Sequence, residues 1–144
     1  MNSKRKFIKI VLIIVFLVIL TKISFEKEWE YTDEELNARI ISDTAPKVVK
    51  RGDEYTISIV VENTGGGVWT NEESIKLCIW QDGFDRGYRI DLPEDVQIEG
   101  GERYTFVLEG FSVQDKKSTK LEFQMIKEGV AYFGERKAAS IKGR

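Results

Sequence analysis

A chain of 144 residues that is 42% hydrophobic and 32% charged has the size and make-up of one ordinary globular domain. Its formal charge of -2 gives no electrostatic footprint for nucleic acid, and the absence of histidine removes the usual general base and the commonest zinc ligand. Most hydrolase designs are thereby excluded. The single cysteine, Cys78, leaves no intrachain disulfide, so packing alone must hold the fold.

Lys4, Arg5 and Lys6 precede an apolar stretch from Phe7 to Leu20 broken only by Lys9, the order of a secretory or signal-anchor segment. Counted to Phe25 it holds about 19 residues, or about 28 Å at roughly 1.5 Å per residue, near the thickness of a hydrocarbon core of about 30 Å. No small-x-small pair for a signal peptidase follows Leu20. The expectation is a retained single-pass anchor, with residues 1–6 as a cytoplasmic basic tail and 7–25 as a transmembrane helix. A secreted chain that loses this segment is the alternative. Residues 26–37 are acidic and polar and read as a stalk, in which Thr32 and Glu35 match a capping box for one helical turn near Asp33 to Asn37.

From residue 38 to 144, short runs rich in Val, Ile, Thr, Tyr and Phe alternate apolar with polar residues between Gly, Asp and Asn clusters, the pattern of half-buried antiparallel strands. Tyr55, Ile57, Ile59 and Val61 form one inward face, and Ile75, Leu77 and Ile79 another. Tyr104, Phe106 and Leu108, and then Leu121, Phe123 and Met125, repeat the pattern. Weaker strands are expected at residues 39–42, 88–92, 96–98 and 131–133. The reading is an all-β, immunoglobulin-like two-sheet antiparallel sandwich preceded by one N-terminal transmembrane helix. Ile57, Ile59, Trp69, Phe106, Phe123 and Phe133 are its expected core. Gly65 to Gly67 are expected to use positive φ to turn the chain, so that Trp69 caps one end of that core.

The stretch Asn63-Thr64-Gly65-Gly66-Gly67-Val68-Trp69 resembles the immunoglobulin-like four-tryptophan domain, found centrally in a selective-autophagy receptor and in bacterial surface proteins. The turn Lys50 to Tyr55, the turn Gly100-Gly101-Glu102, and the closing hairpin from Phe123-Gln124-Met125 to Phe133-Gly134-Glu135 fit the same resemblance, which covers about Ala38 to Ile141. Phe123 and Tyr132 stand where that family usually has tryptophan. The resemblance implies a non-enzymatic module that presents surfaces to protein partners.

Several short motifs have simpler explanations than chemistry. Arg51-Gly52-Asp53 spells an adhesion tripeptide but also an ordinary charged turn. Asp82 and Asp85 could lend carboxylates to calcium, yet further oxygen ligands are missing nearby. Ser24 and Lys27 have acyl-enzyme spacing but sit beside the apolar segment, and paired carboxylates show no spacing across a cleft. No catalytic, cofactor or metal residue is assigned. If Leu77 and Ile79 point inward, Trp80 points outward, with Gln124 and Ile126 on the same outer face. These three are the candidate partner-binding residues, to be weighed against cover of Trp80 by the chain itself. The function expected is a non-catalytic, extracytoplasmic protein-interaction module attached to a membrane by its N-terminal segment. A secreted accessory or carbohydrate-binding domain is the alternative.

Overall fold

The computed structural model describes residues 4, 8–9, 11–14, 34–83, 87–114 and 118–144. The chain divides into two units, Met1–Glu30 and Tyr31–Arg144. In the first, the described positions are helical. Among the described residues, however, no helix is long and apolar enough to cross a membrane. The expected transmembrane helix over 7–25 is therefore corrected. Lys9 cuts the run in the sequence, and eleven apolar residues after it would span only about 16 Å as a helix at about 1.5 Å per residue, half of a hydrocarbon core. Residues 15–25, and 26–33 of the expected stalk, lie outside the described residues, as do Thr32 and Asp33 of the capping box. Glu34 and Glu35 form a turn rather than a helix.

Among the described residues of the second unit there are ten strands: β1 (Ala38–Asp43), β2 (Val48–Val49), β3 (Tyr55–Asn63), β4 (Trp69–Thr70), β5 (Ile75–Gln81), β6 (Tyr88–Asp91), β7 (Gln97–Ile98), β8 (Arg103–Phe111), β9 (Ser118–Lys127) and β10 (Ala131–Gly143). They form a three-stranded sheet in the order β1-β3-β8, a five-stranded sheet in the order β2-β10-β9-β5-β6, and the small pair β4-β7. Pairing is antiparallel except between β2 and β10. The β-sandwich expected from alternation is present. Ile57, Ile59, Val61 and Phe106 from one sheet, and Ile75, Leu77, Ile79, Leu121, Phe123, Met125, Phe133 and Ile141 from the other, are buried in one apolar cluster.

Two features differ from the expectation. β10 does not end at Phe133 but runs on to Gly143. Its register jumps between Phe133↔Met125 and Lys137↔Phe123, so Gly134, Glu135 and Arg136 form a bulge that interrupts the alternation a sequence reading relies on. The bulge fastens the two sheets. Gly134, at φ 71°, lies so close to β1 that a Cβ there would sit 2.6 Å from the Ala38 nitrogen. Beside it the Glu135 carboxylate accepts the Ile40 N–H at 2.9 Å, and Lys137 pairs with Asp43 at 3.1 Å.

The second difference concerns Gly65 to Gly67, none of which has positive φ. Their smallness serves close approach instead. A Cβ on Gly65 or Gly67 would lie 2.5 or 2.8 Å from the Glu35 carbonyl oxygen. The Gly66 and Gly67 N–H groups donate to the carbonyls of Glu34 and Glu35 at 2.7 and 2.9 Å. Asn63, fully buried, organises this loop: its Nδ2 donates to the carbonyls of Gly67 at 2.7 Å and Ile98 at 2.9 Å, while its Oδ1 accepts the Gly65 N–H at 3.0 Å.

The loop delivers Trp69 into the core, where it is fully buried and meets Phe133 edge-on at 5.8 Å between ring centroids. Its indole N–H has no hydrogen-bond partner among the described residues, a cost that the large apolar burial of the ring outweighs. Replacing Trp69 by Ala is expected to cost about 3 to 5 kcal/mol in chemical denaturation. An unchanged midpoint would contradict this packing.

Candidate functional site

Because β5 runs between two strands, alternation divides its side chains between the faces of the five-stranded sheet. Leu77 and Ile79 enter the core, and Cys78 and Trp80 lie on the outer face. Cross-strand pairing places Gln124 beside Cys78, Glu122 beside Trp80, and Arg89 of β6 on the other side of Cys78. On β10, Tyr132 stands opposite Ile126. Trp80, Gln124 and Ile126 therefore do share one face.

That face is not open. Trp80 is only 6% exposed and Ile126 only 5%, and with Cys78 they make a second, small apolar cluster. Among the described residues, two strand side chains lie over Trp80. The Arg136 guanidinium lies 4.3 Å from the indole centroid, and the Tyr132 ring packs beside it at 5.2 Å. Arg136 belongs to the β10 bulge, a device that re-aims side chains. Gln124 spends its side-chain amide on the Gly134 carbonyl at 3.1 Å, which secures the same bulge.

Charge surrounds this aromatic plate. Arg89 donates through Nε to Glu128 at 2.9 Å, through Nη1 to the Cys78 sulfur at 2.8 Å and through Nη2 to the Tyr132 hydroxyl at 3.2 Å. Glu122 accepts from Lys120 at 3.2 Å and from Arg136 at 3.3 Å. The Lys120 hydrogen bond, joined by that of Arg136, lowers the Glu122 pKa below its ordinary value against a smaller effect of burial. Burial pushes the Cys78 thiol up, and the nearby Arg89 charge only partly opposes this. A buried thiol held neutral is a poor nucleophile. What remains accessible is Tyr132, 45% exposed, and the Arg136 side chain, 49% exposed. Both were missed as site residues by sequence reasoning. The alternation Tyr132-out, Phe133-in was a usable signal for the first, but nothing local announces that Arg136 folds back over Trp80.

The other motifs fall elsewhere. Arg51, Gly52 and Asp53 form an exposed turn, with the Arg51 and Gly52 N–H groups donating to the carbonyls of Arg144 and Val113. Asp82 accepts from the Thr119 hydroxyl at 2.6 Å and the Lys120 N–H at 2.9 Å, whereas Asp85, Ser24 and Lys27 lie outside the described residues. Among the described residues no group of three or more His, Cys, Asp or Glu side chains could hold a metal ion. A cleft of about 210 Å³ opens on the inner side, between β6 and the end of β8, lined by Ile79, Tyr88, Leu108, Phe111 and Leu121 together with polar neighbours.

No family model matches the sequence, and no curated protein matches it. Solved structures do. The solution structure of a CARDB domain from Pyrococcus furiosus is similar over 76% of this chain and 96% of its own length, with a TM-score of 0.58 at 13% identity. The crystal structure of the same domain, described as a complex with di-metal ions, is similar over 77% of this chain and 90% of its own, with a TM-score of 0.57 at 14% identity. At such identity the likeness shows the fold alone, an immunoglobulin-like β-sandwich. It does not support the narrower four-tryptophan type suggested by the Asn63 to Trp69 stretch.

Proposed function

We propose that this chain is a non-catalytic module that binds a protein partner through the outer face of its five-stranded sheet, with Tyr132 and Arg136 as the contact residues. The observation that carries the reading is the stack of Arg136, Trp80 and Tyr132. A buried indole supports an exposed guanidinium and a half-exposed phenol, so two residue types enriched at binding hot spots are held in fixed rotamers before any partner arrives. The acidic and basic side chains around them supply a polar rim. With Trp80 covered, this face offers one exposed aromatic among the described residues rather than a row, which favours a protein over a sugar. The CARDB-like fold is compatible with such a role without specifying it.

A photoreactive residue placed at position 132 of the full chain is expected to yield a discrete cross-linked adduct in living cells, and the adduct should disappear when Arg136→Ala is added. Cross-linking from the exposed Val68 position but not from position 132 would move the interaction to another surface.

We also propose that the β-sandwich acts outside the cytoplasm, because Lys4 to Lys6 followed by an apolar run has the order of an export segment. Protease added to intact cells is expected to digest the β-sandwich. Digestion only after lysis would place it inside.

A further inference from the structure

The three-stranded sheet ends at β8, and among the described residues no strand pairs with the outer edge of that strand. An open edge is a row of unpaired backbone donors and acceptors, which folded proteins usually blunt with Lys, Pro or a bulge. The stretch Arg103-Tyr104-Thr105-Phe106-Val107-Leu108-Glu109 contains neither Lys nor Pro. The bulge of β8 comes only at the end of the stretch, where Glu109 and Gly110, the latter at φ 68°, together face the one β3 residue between Tyr55 and Ile57, which leaves Arg103 to Leu108 in regular register. Tyr104 and Leu108 face the core yet are only partly buried, and Val107 on the outer face is 42% exposed.

Read antiparallel about Phe106, this stretch is complementary to itself. Arg103 falls opposite Glu109, Tyr104 opposite Leu108, and Thr105 opposite Val107, so every residue meets one on its own face of the sheet. Shifting the register by two residues sets Arg103 against Val107 or Phe111 and removes both ion pairs. Glu109 is exposed and has no ion-pair partner among the described residues. Arg103 engages Glu62 through Nε at 2.9 Å, and its terminal nitrogens have no partner among the described residues.

We propose that two copies of this chain associate by antiparallel pairing of β8 with β8 of the second copy, about a two-fold axis at Phe106. The pairing joins two three-stranded sheets into one of six strands, sealed by reciprocal Arg103–Glu109 ion pairs. It uses a surface separate from the Tyr132 and Arg136 face and does not depend on the function assigned to that face.

The test is sedimentation of the full chain in a density-matched mild detergent, at concentrations on the order of 100 μM. The chain is expected to sediment as a dimer. Glu109→Arg should weaken association about tenfold or more, because it opposes Arg103 of the second copy twice, while leaving unchanged the melting temperature measured at a dilution where both chains are monomers. A mixture of Thr105→Cys and Val107→Cys chains should form disulfide-linked dimers in clear excess over either variant alone, and this arm decides the matter should Glu109→Arg fold poorly. A monomeric chain, a dimer indifferent to Glu109→Arg, or cysteine cross-linking without preference for the mixture would overturn the proposal.

Discussion

The fold depends on one buried side chain that satisfies three backbone groups at once. Asn63 sits at the end of β3 with no solvent access, and its amide holds the Gly67 and Ile98 carbonyls while its oxygen receives the Gly65 N–H. A strand end normally leaves such groups to water, and burying them unsatisfied would cost roughly 1 to 3 kcal/mol each. With Asn63 in place, the glycine loop can press against the turn at Glu34 and Glu35, β7 is drawn alongside β4, and Trp69 is steered into the core. The main-chain groups of Asn63 complete the arrangement, bonding Glu102 and Gly101 at the entry to β8. Four segments distant in sequence are thus located by one residue, in a chain whose single cysteine cannot form an internal disulfide.

The five-stranded sheet shows how the sandwich produces a surface. Its inner face is ordinary core, but its outer face is also partly apolar, and Trp80 there is covered by Tyr132, from the regular part of β10, and by Arg136, from the bulge. The same bulge brings Gly134 against Ala38 and Glu135 onto the Ile40 N–H. Closure of the sandwich edge and the Arg136 cover over Trp80 therefore share one stretch, the three residues between Phe133 and Lys137 that stand opposite Gln124 alone. A change in that stretch would be felt at both places.

Much of this was legible in the residues. Alternation in Tyr55 to Val61, Ile75 to Ile79 and Leu121 to Met125, broken only at Val60 and Cys78, marked these three strands and their inward faces, because a slip by one residue would turn every apolar side chain outward. Trp80 was correctly turned outward by the same rule, but period two says nothing of what lies above an outward residue, so its cover by Arg136 was hidden. The glycines after Asn63 marked a special backbone but not its reason, since positive φ and close approach demand the same residue. The length of β10 was concealed because Gly134 to Arg136 break the alternation and Lys137-Ala138-Ala139-Ser140 lacks the β-branched residues that announce a strand. The N-terminal segment was overread, its apolar character counted across Lys9.

The amide of Asn63 can be tested on its own. Asp at this position keeps an oxygen for the Gly65 N–H but cannot donate to the Gly67 and Ile98 carbonyls, so Asn63→Asp separates donation from shape. Urea denaturation at neutral pH is expected to show a loss of about 2 kcal/mol or more for this variant, with a native state whose tryptophan emission is shifted toward that of exposed indole. A variant within about 0.5 kcal/mol of the unaltered chain and with unaltered fluorescence would show that the loop and Trp69 are positioned without it, and the account would fail.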